Sequence, residues 1–136
     1  MNLSHRTAAN DLAALLLRIS LATMWLTHSI VLKILTFGMD GLAHWMDSIG
    51  LPGALAYPLV AAEIVGGVLI LLGAGGRWAS LALLPILFGA TWVHAGNGWV
   101  FSNANGGWEY PVFLIAASLV HGLLGDGAYA LRRVPA

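Results

Sequence analysis

The stretch from Tyr57 to Leu72 reads YPLVAAEIVGGVLILL, and Glu63 is its one charge. A half-buried strand would alternate polar and apolar residues, and a soluble surface helix would carry a polar stripe. This segment does neither. A helix that is apolar all round belongs in a large core or in a bilayer. The chain has only 136 residues, 59% of them apolar and 9% charged, so the bilayer is the better solvent. Six Lys plus Arg and six Asp plus Glu cannot dress the surface of a soluble domain of this size.

Working outward, three further apolar runs appear, and the expected spans are residues 12–35, 55–73, 77–95 and 109–125 of one domain covering 1–136. Crossing hydrocarbon takes roughly 20 residues, so the second and fourth spans are short and use flanking Trp and Tyr at the interfaces. Pro85 predicts a bend in the third span. Ala62 with Gly66, and Gly67 beside it, predict close approach by another helix. The linker 36–53 holds Asp40, His44, Trp45 and Asp47 before Gly50-Leu51-Pro52-Gly53, which predicts a short amphipathic helix lying on the membrane surface. Residues 73–76 form a glycine hairpin, 95–108 a Gly- and Asn-rich loop, and the chain beyond Gly125 a short tail. The expected fold is all-α: an integral membrane four-helix bundle with an amphipathic helix in its first outer loop.

Orientation follows from the basic residues. Arg6, Arg77, Arg132 and Arg133 fall on one side, with Arg18 near it, and the two loops opposite contain none. The positive-inside rule then puts both termini in the cytoplasm, N-in and C-in, of a cell inner membrane protein. Balanced charge leaves no footprint for nucleic acid. Absence of cysteine removes disulfides, a thiol nucleophile, a CxxC redox pair and any thiolate metal site.

Ionisable residues inside spans carry the functional signal, because burying charge in lipid is expensive. Arg18, Ala22, Trp25 and Ser29 share one helical stripe that faces a bundle, unless Arg18 snorkels to the head groups. His28, Lys33, Glu63, His94 and Glu109 lie on different spans at similar depth, near the membrane face opposite Arg18. They form a candidate polar cluster for hydrogen bonding or proton transfer. The plainer alternative is two structural pairs, Glu63 with Lys33 and Glu109 with His94. His28 and His94 are also candidate axial haem ligands, and Trp25 and Trp92 candidate walls for a quinone, although six Trp residues first fit interfacial belts. No metal-binding spacing is present.

The same residues carry a family likeness. Leu15-Leu16-Leu17-Arg18, His28 with Lys33, Gly50-Leu51-Pro52, Glu63-x-x-Gly66-Gly67, Gly73 with Arg77, His94, and Gly106-Gly107-Trp108-Glu109-Tyr110-Pro111 together resemble the DoxX family of small four-helix membrane proteins, over nearly the full length. Members often place Lys four residues beyond the His, whereas here Lys33 lies five beyond His28, off its α-helical face. The resemblance implies a redox-linked setting, since the family takes its name from a quinone-linked thiosulfate oxidoreductase.

Three functions follow as expectations. The first is a quinone-binding subunit of an oxidoreductase complex, in which His28 or His94 exchanges protons and Glu63 or Glu109 orients the ligand or relays the proton. The second is a non-enzymatic anchor or assembly subunit for a soluble partner. The third, a haem protein or a small-solute or proton pathway, is weaker; for the pathway, the middles of the second and third spans offer almost no polar side chain. A protein partner or a homo-oligomer accompanies each reading, and whether the chain is itself an enzyme stays open.

Overall fold

The computed structural model describes residues 8–132. Helix α1 (Ala8–Leu26) continues without a break as a π-helix over Thr27–Phe37, making one rod of 30 residues. Helix α2 (Met39–Ser48) follows, and then α3 (Ala56–Leu72), led in by a single 3-10 turn at Gly53–Leu55. The third apolar rod is two pieces, α4 (Gly76–Ala82) and α5 (Leu84–His94), extended by a 3-10 turn to Asn97. Helix α6 (Glu109–Leu124) comes last.

Prolines mark the starts. Pro58, Pro85 and Pro111 each sit in the first turn of α3, α5 and α6, where a missing N–H breaks no hydrogen bond within the helix. Pro85 also explains the split rod. Having no N–H to give the preceding turn, it ends α4, and the chain pauses at Leu83 before α5 begins.

Among the described residues, three rods are long and apolar enough to span a membrane: Ala8–Phe37, Gly53–Leu72 and Gly76–Asn97. This is an all-α membrane protein. The sequence reading of four spans is met only in part, because the described residues form five helical rods and α6 has 16 residues. At 1.5 Å per residue α6 is about 24 Å long, against roughly 30 Å of hydrocarbon. It is short because Glu109 is tied to the preceding loop and Gly125, at φ +75°, turns the chain at its other end.

Helix α1 packs on α3, α4 bridges α3 and α6, and α6 closes against α1. Leu21, Ala22, Trp25, Ile70, Leu83, Leu87 and Leu114 form the core between them. A Cβ on Gly67 would stand 2.9 Å from Leu26 Cδ2, so Gly67 sets how closely α3 meets the first rod. Gly66 makes room for Leu83 in the same way, whereas Ala62 is exposed and joins neither contact.

Two linkers depart from expectation. Helix α2 is present but does not simply lie on a surface: Leu42 and Met46 are buried with Ala56 and Val60 of α3. Asp47 fixes the following turn by accepting the Gly53 N–H at 2.7 Å. The tail after Gly125 is built into the fold. The Ala128 N–H donates to Asp11 O at 3.0 Å, Leu131 to Leu72 O at 3.0 Å and Arg132 to Gly73 O at 3.2 Å, so the tail crosses beneath the 73–75 hairpin. Arg6 and Arg133, which entered the orientation argument, lie outside the described residues.

Candidate functional site

The loop end of the molecule, where α2 and residues 98–108 lie, holds a cavity of about 1040 Å³. Ligand pockets run to about that size. Its walls are mostly apolar, and its polar groups come from five elements, α2 contributing Trp45. The first rod supplies Trp25, His28 and Lys33, α3 supplies Glu63, α5 supplies Trp92 and His94, and α6 supplies Tyr110.

The π-helix explains how His28 and Lys33 both reach this space. Five residues along an α-helix is a rotation of about 500°, which leaves the second side chain about 140° away from the first. A π-helix closes its hydrogen bond from i to i+5, so five residues come close to one full turn. The extra residue between His28 and Lys33 is taken up by wider winding, and both side chains line the cavity.

Glu63 is 1% exposed and pairs directly with the Lys33 ammonium. Ser29 Oγ lies 2.8 Å from Glu63 Oε2 and 2.8 Å from Trp25 O, so its one hydrogen is shared between two acceptors. Two hydrogen bonds and an opposite charge therefore hold a carboxylate that burial alone would penalise.

The histidines are oriented alike. His28 Nδ1 lies 3.0 Å from Met24 O, and His94 Nδ1 lies 2.8 Å from Ala90 O. A carbonyl oxygen only accepts, so Nδ1 carries the hydrogen in each ring, and the neutral imidazole presents Nε2 as a lone pair. The His28 ring also stacks on Tyr110 at 5.8 Å between centroids, tilted 26°.

Trp25 departs from the interfacial-belt expectation. It is 2% exposed, packs in the core, lines the cavity, and its Nε1–H has no hydrogen-bond partner. A buried indole N–H normally finds an acceptor, because leaving it unpaired costs about 1–3 kcal/mol.

Glu109 does not join the cluster. Its carboxylate accepts the Phe101 N–H at 2.8 Å and borders a separate, smaller space of about 490 Å³. Starting a helix, it reaches back to the loop before it, and the expected pair with His94 is replaced by the His94–Ala90 bond. Among the described residues, no three His, Asp or Glu side chains gather to hold a metal ion.

Arg18 lies at the other, hairpin end, buried to 3% exposure, in a polar knot for which the sequence offered little signal. Its Nη1 donates to Asp126 O at 2.8 Å. The Asp126 carboxylate accepts the backbone N–H groups of Gly76 at 3.1 Å and Arg77 at 2.8 Å, capping the start of α4 from 50 residues away along the chain. His121 Nδ1 lies 2.7 Å from Ser80 Oγ. His121 Nε2 stands 3.3 Å from Asp126 Oδ1, too poorly aligned for a hydrogen bond, so that contact is electrostatic. Arg77 donates through Nε and Nη2 to Gly122 O at 2.9 and 2.6 Å. The available clues were Asp126 as the lone acid of the last segment, and Ser80 and His121 as polar residues inside apolar runs.

Fold and site together define a multi-pass α-helical membrane protein with a mostly apolar, histidine-bearing cavity toward one end. The chain belongs to the DoxX family, whose model matches residues 13–96, from early α1 through the end of α5. That membership accords with a multi-pass place in the bacterial inner membrane. The chain is 30% identical over 122 residues to a protein of Bacillus subtilis (strain 168) named "Putative oxidoreductase CatD", covering 89% of this chain and 85% of that one. No solved structure matches it.

Proposed function

We propose that the chain is a redox-linked membrane subunit whose loop-end cavity binds a quinone-type ligand. The observation that carries this is a mostly apolar cavity of about 1040 Å³ lined by His28, His94 and Trp25, the last with a buried Nε1–H that has no partner in the chain. Trp25 donates to a quinone carbonyl oxygen. His28 and His94 accept the hydroxyl hydrogens of the quinol form through Nε2. Lys33 and Glu63, already paired, give that wall a fixed polarity without adding net charge. Electrons come from a protein partner that binds this chain, and the name of the Bacillus relative is in keeping with such a setting.

The topology that suits this reading has four spans, α6 being the fourth, with Trp108 and Tyr110 at its interface. Arg77 and Arg132 are both at the hairpin end, so that end and both termini face the cytoplasm and the cavity lies toward the opposite face.

A second reading has one observation in its favour: the Lys33–Glu63–Ser29 set is satisfied within the chain, as a purely architectural anchor requires. Absorption spectroscopy and quinone extraction on protein purified in mild detergent separate the readings. The expected result is stoichiometric quinone without a Soret band, reduced about tenfold by Trp25→Phe. A Soret band lost on His28→Ala or His94→Ala would turn the cavity into a haem site with those axial ligands. Neither chromophore nor quinone would leave the anchor.

A further inference from the structure

The cavity has a roof and a side door. Over its loop end lie Leu42 and Met46 of α2 and Phe101, Gly106 and Gly107 of the 98–108 loop. That loop is well fastened: Asn97 Nδ2 donates to Gly106 O at 2.8 Å, the Trp108 N–H to Gly98 O at 3.1 Å, and the Phe101 N–H to Glu109. A path along the helix axes from water is therefore covered by apolar side chains and a hydrogen-bonded loop.

The flank is different. Beyond the break at Leu83, α5 leans on α6 and has no comparable packing against α2, α3 or the first rod. Pro85, Gly89 and Trp92 recur at spacings of four and three, so they share one face of α5, and that face both lines the cavity and is exposed. Trp92 is 65% exposed and Trp45 of α2 46%, and each lines the same cavity, so each stands at its rim. At Gly89 nothing lies within 4 Å of where a Cβ would be. Gly89 is eight residues before Asn97, the end of the rod, which places the gap about 12 Å along the rod and within hydrocarbon depth.

We infer that the ligand enters sideways from the bilayer, between Trp45 and Trp92 and over Gly89, and that it is a membrane-dissolved ring compound with carbonyl oxygens and a long apolar chain. The ring seats against Trp25, and the chain stays in the doorway, where its neighbours are tryptophan faces and lipid. The inference rests on the quinone reading above and adds to it the direction of entry and the need for a chain. Gly89 becomes the residue that selects for it. Because Gly89 is helical and unobstructed, a larger side chain there fills the doorway without displacing the core.

The test uses the full chain in phosphatidylcholine nanodiscs and two probes, a dimethoxy-methyl-benzoquinone ring alone and the same ring carrying a ten-carbon chain. Binding is read by quenching of intrinsic tryptophan fluorescence. Gly89→Leu is expected to weaken the chain-bearing probe at least tenfold and to leave the ring alone within threefold. Equal weakening of both would put residue 89 against the ring itself and overturn the doorway, as would no weakening of either. A wild-type measurement guards against misfolding of the variant: a photoreactive group midway along the chain is expected to label Trp45 and residues 85–92. Labelling confined to the 98–108 loop would overturn the proposal in favour of entry from water. If neither probe binds the wild-type chain, the quinone reading fails and the inference goes with it.

Discussion

The two ends of this molecule bury polar groups in opposite ways. At the hairpin end Arg18, Asp126, Ser80 and His121 spend most of their hydrogen bonds on one another and on backbone, and two of these bonds cap a helix. Arg18 Nε, Ser118 Oγ and His121 Nε2 stay without a hydrogen-bond partner there, but none of these residues lines either cavity. At the loop end Glu63 is fully engaged, yet Trp25, His28 and His94 border open space with bonding capacity left over. Buried polarity alone does not mark a site. Buried polarity that is unspent and has room beside it does.

Substitutions can break this contrast, and the largest effect is expected at Asp126. Asp126→Ala strips two N–H groups of their acceptor and leaves buried positive charge uncompensated, costing about 3–5 kcal/mol. Thermal unfolding in detergent should show it, while surviving protein keeps its quinone affinity within threefold. A matching loss of affinity would show that the two ends are not independent.

Next is Glu63→Ala, which abandons Lys33 at the cavity wall and costs about 2–4 kcal/mol. Pairing Lys33→Met with Glu63→Gln should return stability to within about 1 kcal/mol of the parent, because the unpaired charge is gone. A double variant as unstable as Glu63→Ala would mean that the pair does more than satisfy itself.

Trp25→Phe reverses the pattern. Its lost N–H had no partner in the chain, so the stability cost should be only that of a smaller ring in the core, about 1–2 kcal/mol, while quinone affinity falls about tenfold. An unchanged quinone affinity would place Trp25 with the structural residues of the other end. The smallest change is Gly89→Ala, expected to raise stability by about 0.5–1 kcal/mol through helix propensity. A fall in the unfolding temperature would show that the space beside Gly89 is filled.

Much of the fold was legible because lipid imposes a strong length and polarity rule. The run around Glu63 reads as a spanning helix without reference to any partner, and Pro85 announces its own break. The Lys33–Glu63 pair could be named as a candidate because each residue is a rare charge in an apolar run. Asp126 could not be placed, since its partners lie 50 and 108 residues away and no periodicity links them. The π-helix was also hidden: residues 27–37 are apolar on most faces, so neither winding leaves a distinct pattern in them. Glu109 was misassigned because similar depth on different spans does not say which way a side chain turns.

The knot at the hairpin end also orders events during synthesis. Arg18 emerges from the ribosome 108 residues before Asp126, whose backbone carbonyl holds its guanidinium and whose carboxylate starts α4. A chain interrupted between α4 and Asp126 leaves the Arg18 guanidinium without its acceptor and α4 uncapped. Until Asp126 docks, the buried guanidinium and the first turn of α4 lack their partners, so the hairpin end closes only after α6 has been made.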